Sequence, residues 1–146
     1  MAENFGFITK ADEKEIIEAI ETAESQNSGE IRVHLEPYCK DELHTRAQEV
    51  FYKLNMQQTK RRNGVLIYLA VNDRKFYILG DKGIHEKVPE DFWESTKDVM
   101  QSHFKKGQFK EGLIEGILLA GRQLKKHFPH TEDDTNELSD EISRGA

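Results

Sequence analysis

Hydrophobic residues in the first part of the chain follow two spacings, one typical of helices and the other of strands. Isoleucine and alanine recur at three- and four-residue intervals over residues 16–23, which predicts a helix with Thr9 at its start. Residues 27–29 contain a glycine and end this helix. Residues 31–35 then alternate apolar and polar side chains, which predicts a strand with one buried face.

The same reasoning predicts the remaining elements. An amphipathic helix runs from Asp41, its predicted N-cap, to Leu54. Residues 64–71 are apolar on both faces, as in a central strand, and a polar turn leads to a hairpin partner at residues 75–79. Two helices complete the pattern, one at residues 89–107 with Pro89 in its first turn and one at residues 113–124.

This order of elements predicts an α/β fold, a three-layer α/β/α sandwich with a central mixed sheet. The first two strands are joined through a helix and should be parallel, whereas the hairpin makes the third antiparallel. Helices should cover both faces of the sheet. The sheet should contribute eight side chains to one core, namely Ile31, Val33, Leu35, Val65, Ile67, Leu69, Phe76 and Ile78.

The charge divides the chain into a domain at residues 1–128 and an acidic tail at residues 129–146. The net charge is −6, and six of the acidic residues lie after Phe128. Such a block is usually solvated. The four-residue spacing of Leu138 and Ile142 favours the alternative, one helical turn docked on the domain. Both interpretations stay open.

Composition excludes several classes of protein. No apolar run approaches the roughly 18 residues that span a bilayer, and the start of the chain lacks the pattern of a secretory signal. The single Cys39 excludes an intramolecular disulfide and a cysteine zinc site. The acidic balance argues against a nucleic-acid partner. Together these observations predict a cytoplasmic protein of unknown oligomeric state.

The sequence contains few signs of a catalytic centre. It has no nucleophile elbow, phosphate-binding loop or zinc-protease motif. His34 or His44 could approach Cys39, but no third group is identified that would orient such a pair. A lone cysteine beside a bend is usually incidental.

Oxygen-bearing side chains lie where the predicted strands begin and end. If the first two strands are parallel and the third is antiparallel, one edge of the sheet carries Glu30, Asn63 and Asp81. The opposite edge carries Glu36, Asp41 and Asp73. Carboxylates, amides and loop carbonyls are the ligands that hard divalent cations prefer, so either edge could hold a metal. The same residues also suit turns, caps and exposed strand ends.

Four segments together resemble the TPM domain family, over about residues 7–128. They are residues 28–33, 63–68, 73–75 and 80–84. The resemblance implies an α/β/α sandwich, binding of divalent metal, chiefly calcium, and weak acid-phosphatase activity. Many members have an aromatic residue in the last segment where this chain has Asp81, which strengthens the case for a cation. The acidic segment at residues 136–138 is similar to one near the end of short relatives, which favours a docked tail.

These observations predict a calcium-binding domain that acts through an unknown protein partner. The predicted ligands are Glu30, Asn63 and Asp81, with Asp73 as a second locus at the far edge. Calcium is favoured over magnesium because ligands from separate loops tolerate irregular geometry. The alternative function is a weak metal-dependent acid phosphatase, and a scaffold without any ion is the third interpretation.

Overall fold

The computed structural model describes residues 8–25, 29–129 and 140–145. Within these ranges a four-stranded sheet is packed with helices on both faces. The elements in chain order are α1 (Lys10–Glu24), β1 (Glu30–Glu36), α2 (Leu43–Lys53), a 3-10 turn (Met56–Gln58), β2 (Gly64–Ala70), β3 (Lys75–Gly80), α3 (Lys82–His85), α4 (Glu94–Lys105), α5 (Phe109–Lys125) and β4 (Ser143–Arg144).

The strand order in the sheet is β3-β2-β1-β4. Strands β1 and β2 are parallel along their full length, with Glu30 opposite Gly64, and β2 pairs antiparallel with β3. The predicted mixed sheet is therefore confirmed. The sequence analysis did not predict β4, which pairs parallel with β1 on its other side.

Two apolar clusters lie on the two faces of the sheet, which confirms the three-layer α/β/α sandwich. Helices α1, α4 and α5 pack on one face. Helix α2 and the 3-10 turn pack on the other, against Leu66, Tyr68 and Ala70. The eight predicted core residues all belong to the first cluster, with Phe76 only partly buried at its margin. Strand β2 is buried on both faces because it lies between these two layers.

Local capping explains where several helices begin. Thr9 caps α1 as predicted, accepting a hydrogen bond from the Asp12 backbone N–H. The prediction that Asp41 caps α2 was wrong, because the Glu42 carboxylate accepts from the first backbone N–H groups of that helix. The helix expected from Pro89 begins only at Glu94, after turns. The short helix α3 was not predicted.

Strand β1 differs from the expectation of one buried face. Only Arg32 is partly exposed, and the polar His34 and Glu36 are buried. They are covered because α2 packs over one face and residues 140–145 run alongside the strand. In that segment Ile142 packs at the margin of the main core but is not helical, whereas Leu138 lies outside the described residues.

None of the helices in the described part of the chain is both long and apolar enough to cross a bilayer.

Candidate functional site

The first candidate region surrounds Glu36, the last residue of β1, whose side chain is 3% exposed. Arg46, one turn into α2, donates two hydrogen bonds to this carboxylate. Its Nε lies 2.9 Å from Oε2 and its Nη2 lies 2.8 Å from Oε1. This paired geometry is the strongest arrangement available to a carboxylate and a guanidinium, and it ties α2 to the end of β1.

Two further side chains of the sheet bond the same carboxylate. His34, two residues earlier on the same face of β1, places Nε2 3.0 Å from Glu36 Oε1. The Tyr68 hydroxyl, from β2, donates to Oε2. The His34 and Tyr68 rings are stacked at a centroid distance of 5.8 Å, because the two residues are opposite each other in the parallel register. We call Glu36, Arg46, His34, Tyr68 and Ser143 the Glu36 network.

These contacts decide the ionisation of the network. Burial by itself would raise the pKa of Glu36, but the hydrogen bonds from Arg46, His34 and Tyr68 outweigh it and hold that pKa well below its usual range. The pKa of the Tyr68 hydroxyl is raised by burial and by its bond to Glu36. At neutral pH the network therefore contains an ionised carboxylate and a protonated phenol.

Residues 140–145 close one side of the network. The Ser143 Oγ lies 2.8 Å from His34 Nδ1, and the Gly145 N–H donates to the Leu35 carbonyl oxygen at 2.7 Å. A Cβ on Gly145 would lie 2.2 Å from Glu36 Oε1, so only glycine allows this approach. A cavity of about 380 Å³ opens beside these residues.

The second candidate region, here called the acidic edge, brings together Glu24, Glu30 and Asp140 at the start of β1. Glu24, at the end of α1, accepts a hydrogen bond from the Ile31 N–H at 2.8 Å. It also shares a side-chain hydrogen bond with Asp140. Burial, this bond, and the charges of Asp140 and Glu30 raise the pKa of Glu24 to about 9, against the opposing effect of the Ile31 N–H.

The predicted residues Glu30, Asn63 and Asp81 lie at this end of the sheet, each no more than 6% exposed. The Glu30 N–H donates to the Asn63 carbonyl oxygen at 3.1 Å. Asp81 is committed elsewhere, since Arg62 bonds both of its oxygens at 2.7 and 2.9 Å and the Lys82 N–H bonds one of them. The topology thus places all three residues at one edge, as predicted, with Asp81 in an ion pair.

The second predicted locus, Asp73, lies in the β2–β3 hairpin at the opposite end of the sheet. Its carboxylate accepts a hydrogen bond from the Cys39 N–H at 2.7 Å and so ties the hairpin to the loop after β1. Across residues 8–25, 29–129 and 140–145, no group of three or more His, Cys, Asp or Glu side chains is arranged to hold a metal ion. The metal ligands stay a prediction.

Comparison with known proteins identifies the family. The sequence profile of the TPM domain matches residues 2–123. The chain belongs to the TPM domain family. No curated protein matches it in sequence.

Solved structures agree with this assignment. The BA42 protein of the psychrophilic bacterium Bizionia argentinensis, whose structure was solved by NMR, is 50% identical in sequence to this TPM domain. The two structures agree with a TM-score of 0.90, over 95% of this chain and 96% of that one. The N-terminal domain of a P. gingivalis protein shares the fold at 22% identity and a TM-score of 0.70, covering 88% and 85% of the two chains. The N-terminal domain of the Corynebacterium glutamicum cg2496 protein shares it at 12% identity and a TM-score of 0.63, covering 97% and 82%.

Sequence reasoning missed most of the Glu36 network of this TPM domain. It placed Glu36 at the far edge of the sheet, but it treated His34 as the exposed side of an alternating strand. The available signal was the spacing of two between His34 and Glu36, which puts both on one face of β1. Neither Arg46 nor Ser143 carried a signal, because each reaches the network only through tertiary packing.

Proposed function

We propose that this TPM domain binds a divalent cation at the acidic edge, calcium in preference to magnesium. The observation that carries the proposal is the hydrogen bond between the Glu24 and Asp140 carboxyl groups. Two carboxyl groups can share a hydrogen bond only when a proton lies between them. Burial is the largest cause that raises the pKa of Glu24 to about 9, and this shared hydrogen bond is the second. A cation bound by both groups replaces that proton and allows both to ionise.

The chemistry of the surrounding groups favours calcium. Glu24 and Asp140 offer two carboxyl groups, from α1 and the C-terminal segment, and the charge of Glu30 in β1 acts on the same place. Calcium accepts such oxygen ligands in irregular geometry, whereas magnesium demands a near-ideal octahedron. The resemblance to the TPM family, from which calcium was first expected, points to the same ion.

This proposal changes the predicted ligand set. Glu30 is retained, and Asn63 remains next to it through the backbone bond between the two residues. Asp81 is not a ligand in this proposal, because its carboxylate is already paired with Arg62. Asp73 stays a prediction for a separate locus at the far edge.

The test is a titration of the complete chain with calcium chloride, followed by amide chemical shifts. Millimolar calcium, the range of weak loop sites, should shift the amides of Glu24, Ile31 and Asp140 and raise the melting temperature. Because calcium displaces a proton, its apparent affinity should increase between about pH 6 and about pH 8. Magnesium chloride should produce a weaker response.

Two variants and one control assign the ligands. Glu24→Gln should abolish the response to calcium, whereas Glu21→Gln, an exposed acid one turn earlier in α1, should leave it unchanged. Asp81→Asn distinguishes this ligand set from the one predicted from the sequence, since it should have little effect here. A chain that shows no shift at millimolar calcium refutes the proposal. Shifts confined to Asp73 and Glu36 would place the ion at the other end of the sheet.

A weak metal-dependent acid phosphatase is the alternative function. It requires a basic group beside the bound cation, and Arg62, which pairs with Asp81 near the acidic edge, is such a group. Calcium-dependent hydrolysis of 4-nitrophenyl phosphate that is lost in both Glu24→Gln and Arg62→Gln would support it. Action through a protein partner also stays a prediction.

A further inference from the structure

Three side chains of the Glu36 network form a continuous row of hydrogen bonds. Ser143 Oγ lies 2.8 Å from His34 Nδ1, and His34 Nε2 lies 3.0 Å from Glu36 Oε1. His34 and Glu36 are 5% and 3% exposed, whereas Ser143 is partly exposed. A hydroxyl, an imidazole and a carboxylate in this order form the arrangement that activates a serine in acyl-transfer enzymes.

The protonation of the row follows from its contacts. Two hydrogen bonds from Arg46 keep Glu36 a carboxylate, which can only accept from His34. In the neutral imidazole the proton therefore resides on Nε2, and Nδ1 presents its lone pair to Ser143. The Ser143 hydroxyl then donates its hydrogen to Nδ1, as a nucleophile does to its general base.

A cavity adjoins Ser143 and is suited to an anionic ligand. Its volume of about 380 Å³ lies within the range of small-molecule sites. Four cationic side chains line it against two carboxylates, although the whole chain carries a net charge of −6. The cationic residues are Lys40, Lys53, Arg46 and Arg144. Arg46 is paired with Glu36 and Arg144 with Glu13, so the two lysines are the main attraction for an anion.

We propose that Ser143 is the nucleophile of an acyl-transfer site, with His34 as its general base. Glu36 is a positioning residue that fixes the tautomer and orientation of His34. The substrate is an ester or thioester that carries a negative charge, which the cationic side chains of the cavity attract. In the usual triad the serine bonds Nε2 of the imidazole and the carboxylate bonds Nδ1. Here the positions are exchanged, with Ser143 at Nδ1 and Glu36 at Nε2. Imidazole accepts and returns a proton at either nitrogen.

The reaction proceeds in two balanced steps. Ser143 Oγ forms a bond to the acyl carbon while its proton passes to His34 Nδ1. The bond from that carbon to the leaving oxygen or sulfur then breaks, and the leaving group takes the proton from His34. Water attacks the acyl-serine, transfers a proton to His34 and releases the acid. The returning proton restores the Ser143 hydroxyl.

The experiment uses the complete chain and a fluorophosphonate probe, with the modified residue located by mass spectrometry. We expect one label per chain, on Ser143. Ser143→Ala and His34→Gln should each reduce the labelling rate by more than about a hundredfold. Ser102→Ala, which removes an exposed hydroxyl of α4, should leave labelling unchanged.

A substrate assay tests the anionic preference separately. A 4-nitrophenyl ester of a dicarboxylic acid, with one free carboxylate, should be cleaved faster than 4-nitrophenyl acetate, and Lys53→Gln should reduce that preference. Circular dichroism and the melting temperature establish that each variant is folded. Absence of label in the folded chain, or labelling that survives Ser143→Ala, would overturn the proposal. Calcium-induced shifts do not affect the labelling test, because the acidic edge contains none of Ser143, His34 and Glu36.

Discussion

The two ends of strand β1 hold buried carboxyl groups but balance their charge in opposite ways. At the C-terminal end, Glu36 receives hydrogen bonds from Arg46, His34 and Tyr68, so its pKa is lowered. At the N-terminal end, burial raises the pKa of Glu24, and the neighbouring Asp140 and Glu30 raise it further, to about 9. The protonation of a buried acid is thus set by its neighbours and not by its burial alone.

The contrast also separates two kinds of site. The Glu36 network is internally satisfied, which favours a rigid arrangement of polar groups. At the acidic edge, by contrast, two carboxyl groups share one hydrogen bond, between Glu24 and Asp140. Residues 140–145 join the two, because Asp140 bonds Glu24 while Ser143 and Gly145 contact the Glu36 network.

The largest expected effect comes from removing the charge of Glu36. Glu36→Gln should lower the free energy of unfolding by about 3 to 5 kcal/mol, because Arg46 then loses its buried partner. Glu49→Gln is the matched control, since Glu49 contacts the same guanidinium from an exposed position, and it should change little. Urea unfolding measures both. Equal losses in the two variants would contradict the difference between a buried and an exposed partner.

The pH dependence sharpens this first comparison. Folding lowers the pKa of Glu36, so its carboxylate stabilises the folded chain above the unfolded pKa of about 4.5. This stabilisation is lost as the pH falls toward the pKa of the folded state. The difference in free energy of unfolding between the native chain and Glu36→Gln should therefore become smaller below about pH 4.5. A difference that widens on acidification would be inconsistent with an ionised Glu36.

An intermediate effect is expected from Gly145→Ala. The added Cβ would meet Glu36 Oε1 at 2.2 Å and His34 Nε2 at 2.9 Å, and Arg46 prevents the carboxylate from moving aside. The C-terminal strand must shift instead, at a cost of about 1 to 3 kcal/mol. Hydrogen exchange of the Gly145 amide should accelerate. Ser143→Ala adds no bulk and serves as the control, in which this amide should remain protected.

The Glu24→Gln variant should change the stability least near about pH 4.5, and it is informative through the sign of its effect at higher pH. Since folding raises the pKa of Glu24 from 4.5 to about 9, the native chain loses stability as the pH rises between these values. Glu24→Gln removes this loss, so it should match the native chain near about pH 4.5 and exceed it at about pH 8. Melting temperatures at both pH values measure the effect, with Glu21→Gln as control. A variant less stable than the native chain at the higher pH would refute the raised pKa.

Much of the fold could be predicted because it depends on local patterns. The all-apolar run around Ile67 identified the central strand, and the helix between the first two strands required them to be parallel. The same topology correctly placed Glu30, Asn63 and Asp81 at one end of the sheet. It could not reveal that Arg62 pairs with Asp81, because that contact depends on a residue with φ of 51° and on the path of a loop.

The sequence by itself determined the order of the main helices and the first three strands, the direction of those strands and their contribution to the main core. Hydrophobic periodicity and turn residues act over a few positions, so they can be read without the rest of the molecule. Only the tertiary structure decided that residues 140–145 lie against β1, more than 100 positions away. That pairing places Ser143 against His34 and Asp140 against Glu24, because strand pairing joins distant segments without a local signal in either.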